Sequence, residues 1–118
     1  KSVVMSNQDY VNIDWNRFTK NTVFYFDPPY YMTSAAYNDG KRGGKGWSIK
    51  EELELLDILT KLNEKGHKFI LSNVVEHKGK QHEILLNWVR KNGFFMIDAG
   101  VSGWRYAKKE VIIKNYVR

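Results

Sequence analysis

An aromatic and branched run, Thr22-Val23-Phe24-Tyr25-Phe26, stops abruptly at Asp27-Pro28-Pro29-Tyr30. This junction constrains the fold more than any other stretch of the chain. A short continuous apolar run of this kind predicts a strand buried on both faces, as in a parallel sheet. Two successive prolines fix φ and carry no N–H, so the ladder cannot continue through them. Asp27 therefore lies just past the carboxyl end of its strand, where open α/β sheets bind ligands. The stiff turn holds the Asp27 carboxylate and the Pro28 carbonyl close together as two acceptors, with the flat ring of Tyr30 beside them. Two acceptors and a stacking face suit a planar group bearing an NH2, such as an amino-bearing nucleobase. The same four residues also suit a plain turn after a strand.

The segments on either side predict alternating strands and helices. Val3-Val4-Met5 reads as a strand at the start of a chain that begins abruptly, as if cut from something longer. Asp9 and Tyr10 follow it, and residues 11–21 read as a short helix or loop in which Trp15 and Phe18 pack. Ser48 to Lys65 is the clearest helix. Ser48 and Glu51 form a capping-box pattern, and Gly66 stops the helix. Ile49, Leu53, Leu56, Leu59 and Leu62 make one stripe, broadened by Leu55 and Ile58, and the helix charges mark a solvated face. Lys68-Phe69-Ile70-Leu71 is the next buried strand, completing a β–α–β unit. It places Ser72 and Asn73 on the same rim as Asp27. There they either line the site or cap the turn into a polar loop, Val74 to Lys80. Gln81 to Lys91 predicts a second helix, with Ile84, Leu85, Trp88 and Val89 buried. Phe94 to Ile97 and Glu110 to Tyr116 are the last two strands, joined by about a dozen residues without helical spacing, and they suggest an antiparallel hairpin at the sheet edge.

Two basic, glycine-containing stretches stand apart from these elements. The first, within Tyr31 to Gly46, carries Lys41, Arg42 and Lys45 among four glycines and cannot be the interior of a helix or strand. It is not a phosphate-binding P-loop, because no Ser or Thr directly follows a Gly-Lys pair. The second, Gly100 to Lys109, carries Arg105, Lys108 and Lys109. Both could meet phosphates, and the first could equally be a solvated linker. Nineteen basic residues against thirteen acidic give a formal charge of +6, which fits a polyanionic partner. With 118 residues the chain makes one small domain, and 42% hydrophobic content supports a packed core. The absence of cysteine excludes disulfides and cysteine-based zinc sites. His82-Glu83 lacks a second histidine at zinc-binding spacing, so no metal is expected, and His67, His77 and His82 read as surface residues. No apolar run is long enough for a bilayer span, so no membrane is expected.

Asp27-Pro28-Pro29-Tyr30 after a hydrophobic strand resembles the catalytic motif of S-adenosylmethionine-dependent amino methyltransferases. It is most similar to that of the Dam-like DNA adenine-N6 methyltransferases of bacteria and phages. The other pieces follow in the family's order. Asn7-Gln8-Asp9-Tyr10 resembles the acidic cofactor segment, and Tyr31 and Tyr37 follow the motif. Lys68 to Asn73 resembles the next strand with its Ser-Asn ending, and Glu110 to Tyr116 the last strand.

The resemblance implies an α/β fold: a partial Rossmann-like methyltransferase sheet of parallel strands with helices and a carboxyl-terminal antiparallel hairpin. It implies that residues 1–118 are the carboxyl-terminal, catalytic part of the domain. The glycine cofactor loop and target-recognition domain would lie on a missing amino-terminal half. It further implies a cytoplasmic enzyme of a bacterium or phage that takes S-adenosyl-L-methionine and double-stranded DNA, as in restriction-modification. Asp27, Pro28, Pro29 and Tyr30 would be catalytic. Asp9, Tyr10 and Asp27 would bind cofactor, although Asp9 also suits a simple turn cap. Tyr31, Tyr37, Lys41, Arg42, Lys45, Ser72, Asn73, Arg105 and Lys108 would meet DNA. Two rivals stand beside this: an amino methyltransferase acting on RNA or a protein amide, and an inactive fragment that needs its partner half.

Overall fold

Strand β2 (Val23–Phe26) forms because its aromatic and branched residues fit a pleated surface on which alternate side chains are buried, Phe24 and Phe26 completely. In the computed structural model it pairs in parallel with β1 (Ser2–Met5) on one side and with β3 (Lys68–His77) on the other. The structure describes residues 2–5, 14, 17–33, 47–103 and 107–117, with backbone alone for 2–5. Between β2 and β3 comes helix α1 (Ile49–Glu64), followed beyond β3 by β4 (Lys80–Gln81), helix α2 (Glu83–Asn92), β5 (Phe95–Ser102) and β6 (Lys108–Lys114). The sheet order is β1-β2-β3-β6-β5, with β4 also pairing β3. The β1–β2 and β2–β3 pairings are parallel, whereas β3–β4, β3–β6 and β5–β6 are antiparallel. A mixed α/β sheet that closes with an antiparallel hairpin is what the sequence predicts.

Both helices cover one face of the sheet. Leu55, Leu56, Leu59 and Leu62 of α1 and Leu85 and Val89 of α2 join Phe24, Phe26, Phe69, Leu71, Val111 and Ile113 in a single core. Trp88 Nε1 ties α2 to α1 by donating to Thr60 Oγ1 at 2.9 Å. The expected capping box is present: Ser48 accepts from the helix backbone, and Glu51 Oε1 accepts from Ser48 N at 2.8 Å. Gly93 ends α2 in the left-handed region at φ +69, where a glycine carries no Cβ penalty. Phe18 packs edge-on against Phe24 at 5.1 Å, as expected, while Trp15 lies outside the described residues.

Several expectations are corrected. Val74 to Lys80 is not a polar loop. β3 continues to His77, because β6 pairs it along its length and β4 folds back on it through a two-residue turn at Lys78-Gly79. Helix α2 starts at Glu83 with His82 as its cap, and Gln81 belongs to β4. β5 begins at Phe95 and runs to Ser102, five residues beyond the predicted end at Ile97, which shortens the basic loop. Leu53 and Ile84 are exposed, whereas Glu52 is fully buried, so the charges of α1 do not all mark a solvated face. His67, His77 and His82 are buried, not at the surface.

Candidate active site

The site is built around an interruption in one edge of β3. Residues 70–77 pair β6 on the far edge. The near edge pairs β2 over Lys68–Leu71 and β4 over Glu76–His77. Between those two pairings lies a notch, and the backbone that leaves β2 enters it. Asp27 and Pro29 are exposed, Pro28 is buried, and Tyr30 is half-buried. A single 3₁₀ turn, Tyr31–Thr33, follows directly, and Thr33 N donates to the Tyr30 carbonyl at 3.1 Å.

Side chains from distant elements fix this segment. The Tyr25 and Ser72 hydroxyls meet at 2.9 Å across β2 and β3. Tyr30 Oη donates to Glu110 Oε1 at 3.3 Å, and Ser102 Oγ donates to Glu110 Oε2 at 3.0 Å. Lys108 Nζ sits 5.6 Å from the centroid of the Tyr30 ring, within cation–π range. Burial first, then the Glu110 and Asp27 carboxylates, push the Tyr30 phenol up to about 12. Downstream, the Met32 carbonyl accepts from His77 Nδ1 at 3.1 Å, and the Tyr31 ring lies 5.4 Å from that of His82.

Below the turn is a buried polar cluster centred on Glu52. The Leu85 amide donates to His82 Nδ1 at 3.2 Å, so Nε2 carries the ring proton. His82 Nε2 then donates to Glu52 Oε2 at 2.7 Å, Asn73 Nδ2 donates to the same oxygen at 3.0 Å, and Trp47 Nε1 donates to Oε1 at 2.6 Å. Asn73 Oδ1 accepts from Val74 N at 2.7 Å. Every polar atom of this cluster is used, as burial requires.

The expected site residues are distributed as follows. Asp27, Tyr30, Tyr31, Ser72 and Lys108 gather at the notch, and Asn73 lies directly beneath it, fully buried. Asp9, Tyr10, Tyr37, Lys41, Arg42, Lys45 and Arg105 lie outside the described residues. Glu52, His77, His82 and Glu110 belong to the site without having been singled out. Glu52 did carry a signal, because it precedes Leu55 and Leu56 by three and four residues and so falls on the buried stripe. Among the described residues no cluster of His, Asp and Glu could hold a metal ion, and no helix is long and apolar enough to cross a membrane.

The carboxyl ends of β1 and β2 lie level, Met5 beside Phe26, and exposed Asp27 follows directly on the end of β2. Among the described residues no group donates to the Asp27 carboxylate. An unclaimed acceptor at an open strand end fits a ligand that carries hydrogen-bond donors.

Residues 1–99 match the family of D12 class N6 adenine-specific DNA methyltransferases. The chain is 46% identical over 114 residues to the modification methylase LlaI of Lactococcus lactis subsp. lactis, covering 97% of this chain and 18% of that protein. It is 39% identical over 121 residues to the Type II methyltransferase M.FokI of Planomicrobium okeanokoites, covering 98% and 19%. It is also 39% identical over 110 residues to the modification methylase StsI of Streptococcus sanguinis, covering 87% and 17%. The chain thus spans less than a fifth of the length of these relatives. The match over residues 1–99, with Asp27-Pro28-Pro29-Tyr30 at the open end of a parallel strand, places the chain in the D12 class N6 adenine-specific DNA methyltransferase family.

Proposed function

We propose that this chain carries the catalytic part of a site-specific DNA methyltransferase that modifies the N6 amine of adenine. The observation that carries the reading is the exposed Asp27 carboxylate at the carboxyl end of a parallel strand, to which no described residue donates, on a backbone held by His77 and beside a ring held by Glu110. The chain covers under a fifth of its relatives, which supports taking it as part of a larger protein; on our reading it is the carboxyl-terminal part of the catalytic domain of a bacterial cytoplasmic methyltransferase of the restriction-modification type.

S-adenosylmethionine, when bound, supplies the electrophilic methyl group. Asp9 and Tyr10, together with Asp27, are the residues that would hold it. The adenine amine is a poor nucleophile because its lone pair is delocalised into the ring. The Asp27 carboxylate and the Pro28 carbonyl accept the two amine hydrogens and favour a tetrahedral nitrogen, freeing the lone pair for attack. Positioning of this kind can supply roughly 7–11 kcal/mol of the barrier. The target atom cannot be reached inside a duplex, so the base is flipped out. It stacks on the Tyr30 face opposite Lys108, a contact worth about 1–3 kcal/mol. Tyr31, Tyr37, Lys41, Arg42, Lys45, Arg105 and Lys108 are the residues that would contact DNA, and Ser72 and Asn73 act from behind by holding Tyr25 and Glu52.

The test is Asp27→Ala in the full-length protein, with methyl transfer from labelled cofactor followed on duplex DNA, RNA and protein. We expect transfer to DNA in the parent protein and none in the variant, with an unchanged circular dichroism spectrum. Retained transfer in the variant would sink the mechanism. Transfer by the parent protein to RNA or protein instead would replace the substrate.

A further inference from the structure

The turn joining β3 to β4 is built from Lys78 and Gly79, both at positive φ, +55 and +76. His77 pairs with Lys80 across it, so the loop has two residues and both must be left-handed, as in a type I′ hairpin. Gly79 meets that demand without strain. Lys78 is, among the described residues, the one non-glycine with positive φ, at a position where asparagine or glycine is the favoured occupant. A residue kept in an unfavoured backbone conformation points to a use for its side chain.

The surroundings say what use. Residues directly opposite one another on paired strands point to the same face. Lys80, His77, Lys108 and Ser102 are such partners across β4, β3, β6 and β5, so Lys80 and Lys108 share the His77 face. That face carries the Met32 carbonyl and the Tyr30 ring, which Lys108 touches. The hairpin also stands beyond the catalytic rim. β3 runs six residues from Leu71, the partner of Phe26, to His77, which carries the tip roughly 20 Å past the end of β2. A duplex that delivers a base to Asp27 has its phosphate backbone at that rim.

We infer that the Lys78–Lys80 hairpin tip is a DNA phosphate-contact site, which continues the cationic row begun by Lys108. This rests on the reading of the substrate as DNA. The tip supplies charge and not sequence, since phosphate contacts position a protein on any duplex.

The experiment measures the affinity of the full-length protein for duplex DNA across a salt series, by fluorescence anisotropy. Lys78→Asn removes the charge and suits the left-handed position, so the turn is kept. Lys80→Gln removes the second charge, and Lys78→Arg keeps the first. We expect Lys78→Asn and Lys80→Gln each to flatten the plot of log affinity against log salt by roughly 0.9, while Lys78→Arg keeps the parent slope. Parent slopes in both neutral variants, with circular dichroism unchanged, would overturn the inference and leave the DNA reading standing. A parent protein that binds no DNA would overturn both. A slope flattened equally by Lys78→Arg would show that the turn's shape matters and not its charge, and would also overturn the inference.

Discussion

Tyr30 is held at both ends of its side chain. Its hydroxyl donates to Glu110 and its ring faces Lys108, so the ring plane is set in advance for the stacking proposed above. Preorganised rings stack without further ordering cost. We predict that Tyr30→Ala reduces methyl transfer more than Tyr30→Phe or Tyr30→Trp, since the latter two keep a stacking face. Equal loss in all three would argue against stacking. The phenol offers a second measurement. Burial first, then Glu110 and Asp27, hold the phenol protonated to higher pH. In Glu110→Gln the Tyr30 titration should therefore move down from about 12 toward 10, read as the ultraviolet difference against the same background carrying Tyr30→Phe. Asp27 to Tyr30 could be placed from the sequence because prolines end a ladder wherever they stand. Glu110 could not, because eighty residues separate it from its partner and nothing local in Lys108 to Lys114 marks one glutamate as facing a tyrosine.

Helix α1 was legible at its start and along its stripe, where the capping box and the leucine spacing act within a few residues. Its charge pattern was not. Glu52 lies in the buried stripe, and its carboxylate is matched by donors from Trp47, Asn73 and His82, residues that only the tertiary fold brings near. We predict that Glu52→Ala destabilises the fold by about 3 kcal/mol, because it strands the buried donors of Asn73 and His82. Asp57→Ala on the same helix removes an exposed ion pair with Lys61 and should cost no more than about 0.5 kcal/mol. Chemical denaturation of the two variants makes the comparison, and similar losses in both would show that the cluster contributes no more than a surface pair. The extension of β3 was hidden for a related reason. Glu76 to Lys80 is polar enough to pass for a loop, and only the β6 and β4 partners supply the ladder that carries the strand through Val74 to His77. Without that extension there is no notch for the Asp27–Tyr30 turn and no cradle from His77 and His82.

The closing hairpin could be anticipated, whereas the insertion of β6 between β3 and β5 rests on a pairing between segments some forty residues apart. That insertion also closes the base of the molecule. Asn115, just past β6, accepts from Phe69 N at 2.8 Å and donates to the His67 carbonyl at 2.8 Å, and His67 N donates to the Leu62 carbonyl at 2.9 Å. The His67 ring is thereby sealed in, edge-on to Phe24 at 5.6 Å, and among the described residues its Nδ1 has no hydrogen-bond partner. Burial first, then Lys20 and Lys65, lower its affinity for a proton below the ordinary 6.5. A depressed folded-state value contributes stability above the unfolded value, and that contribution is lost as pH falls through the folded one. The fold should therefore weaken as pH drops below about 6.5, the ordinary histidine value. Glu51, lowered chiefly by its hydrogen bond from Ser48, follows the same sign in a lower window, below the ordinary glutamate value of 4.5. His67→Phe keeps the ring beside Phe24 and removes the titration. Its melting temperature relative to the parent should be constant above pH 7 and move in the variant's favour as pH falls below 6.5, while both proteins lose stability together below 4.5. A difference that stays flat from pH 7 to 5 would mean that His67 takes up its proton without opening the base of the sheet.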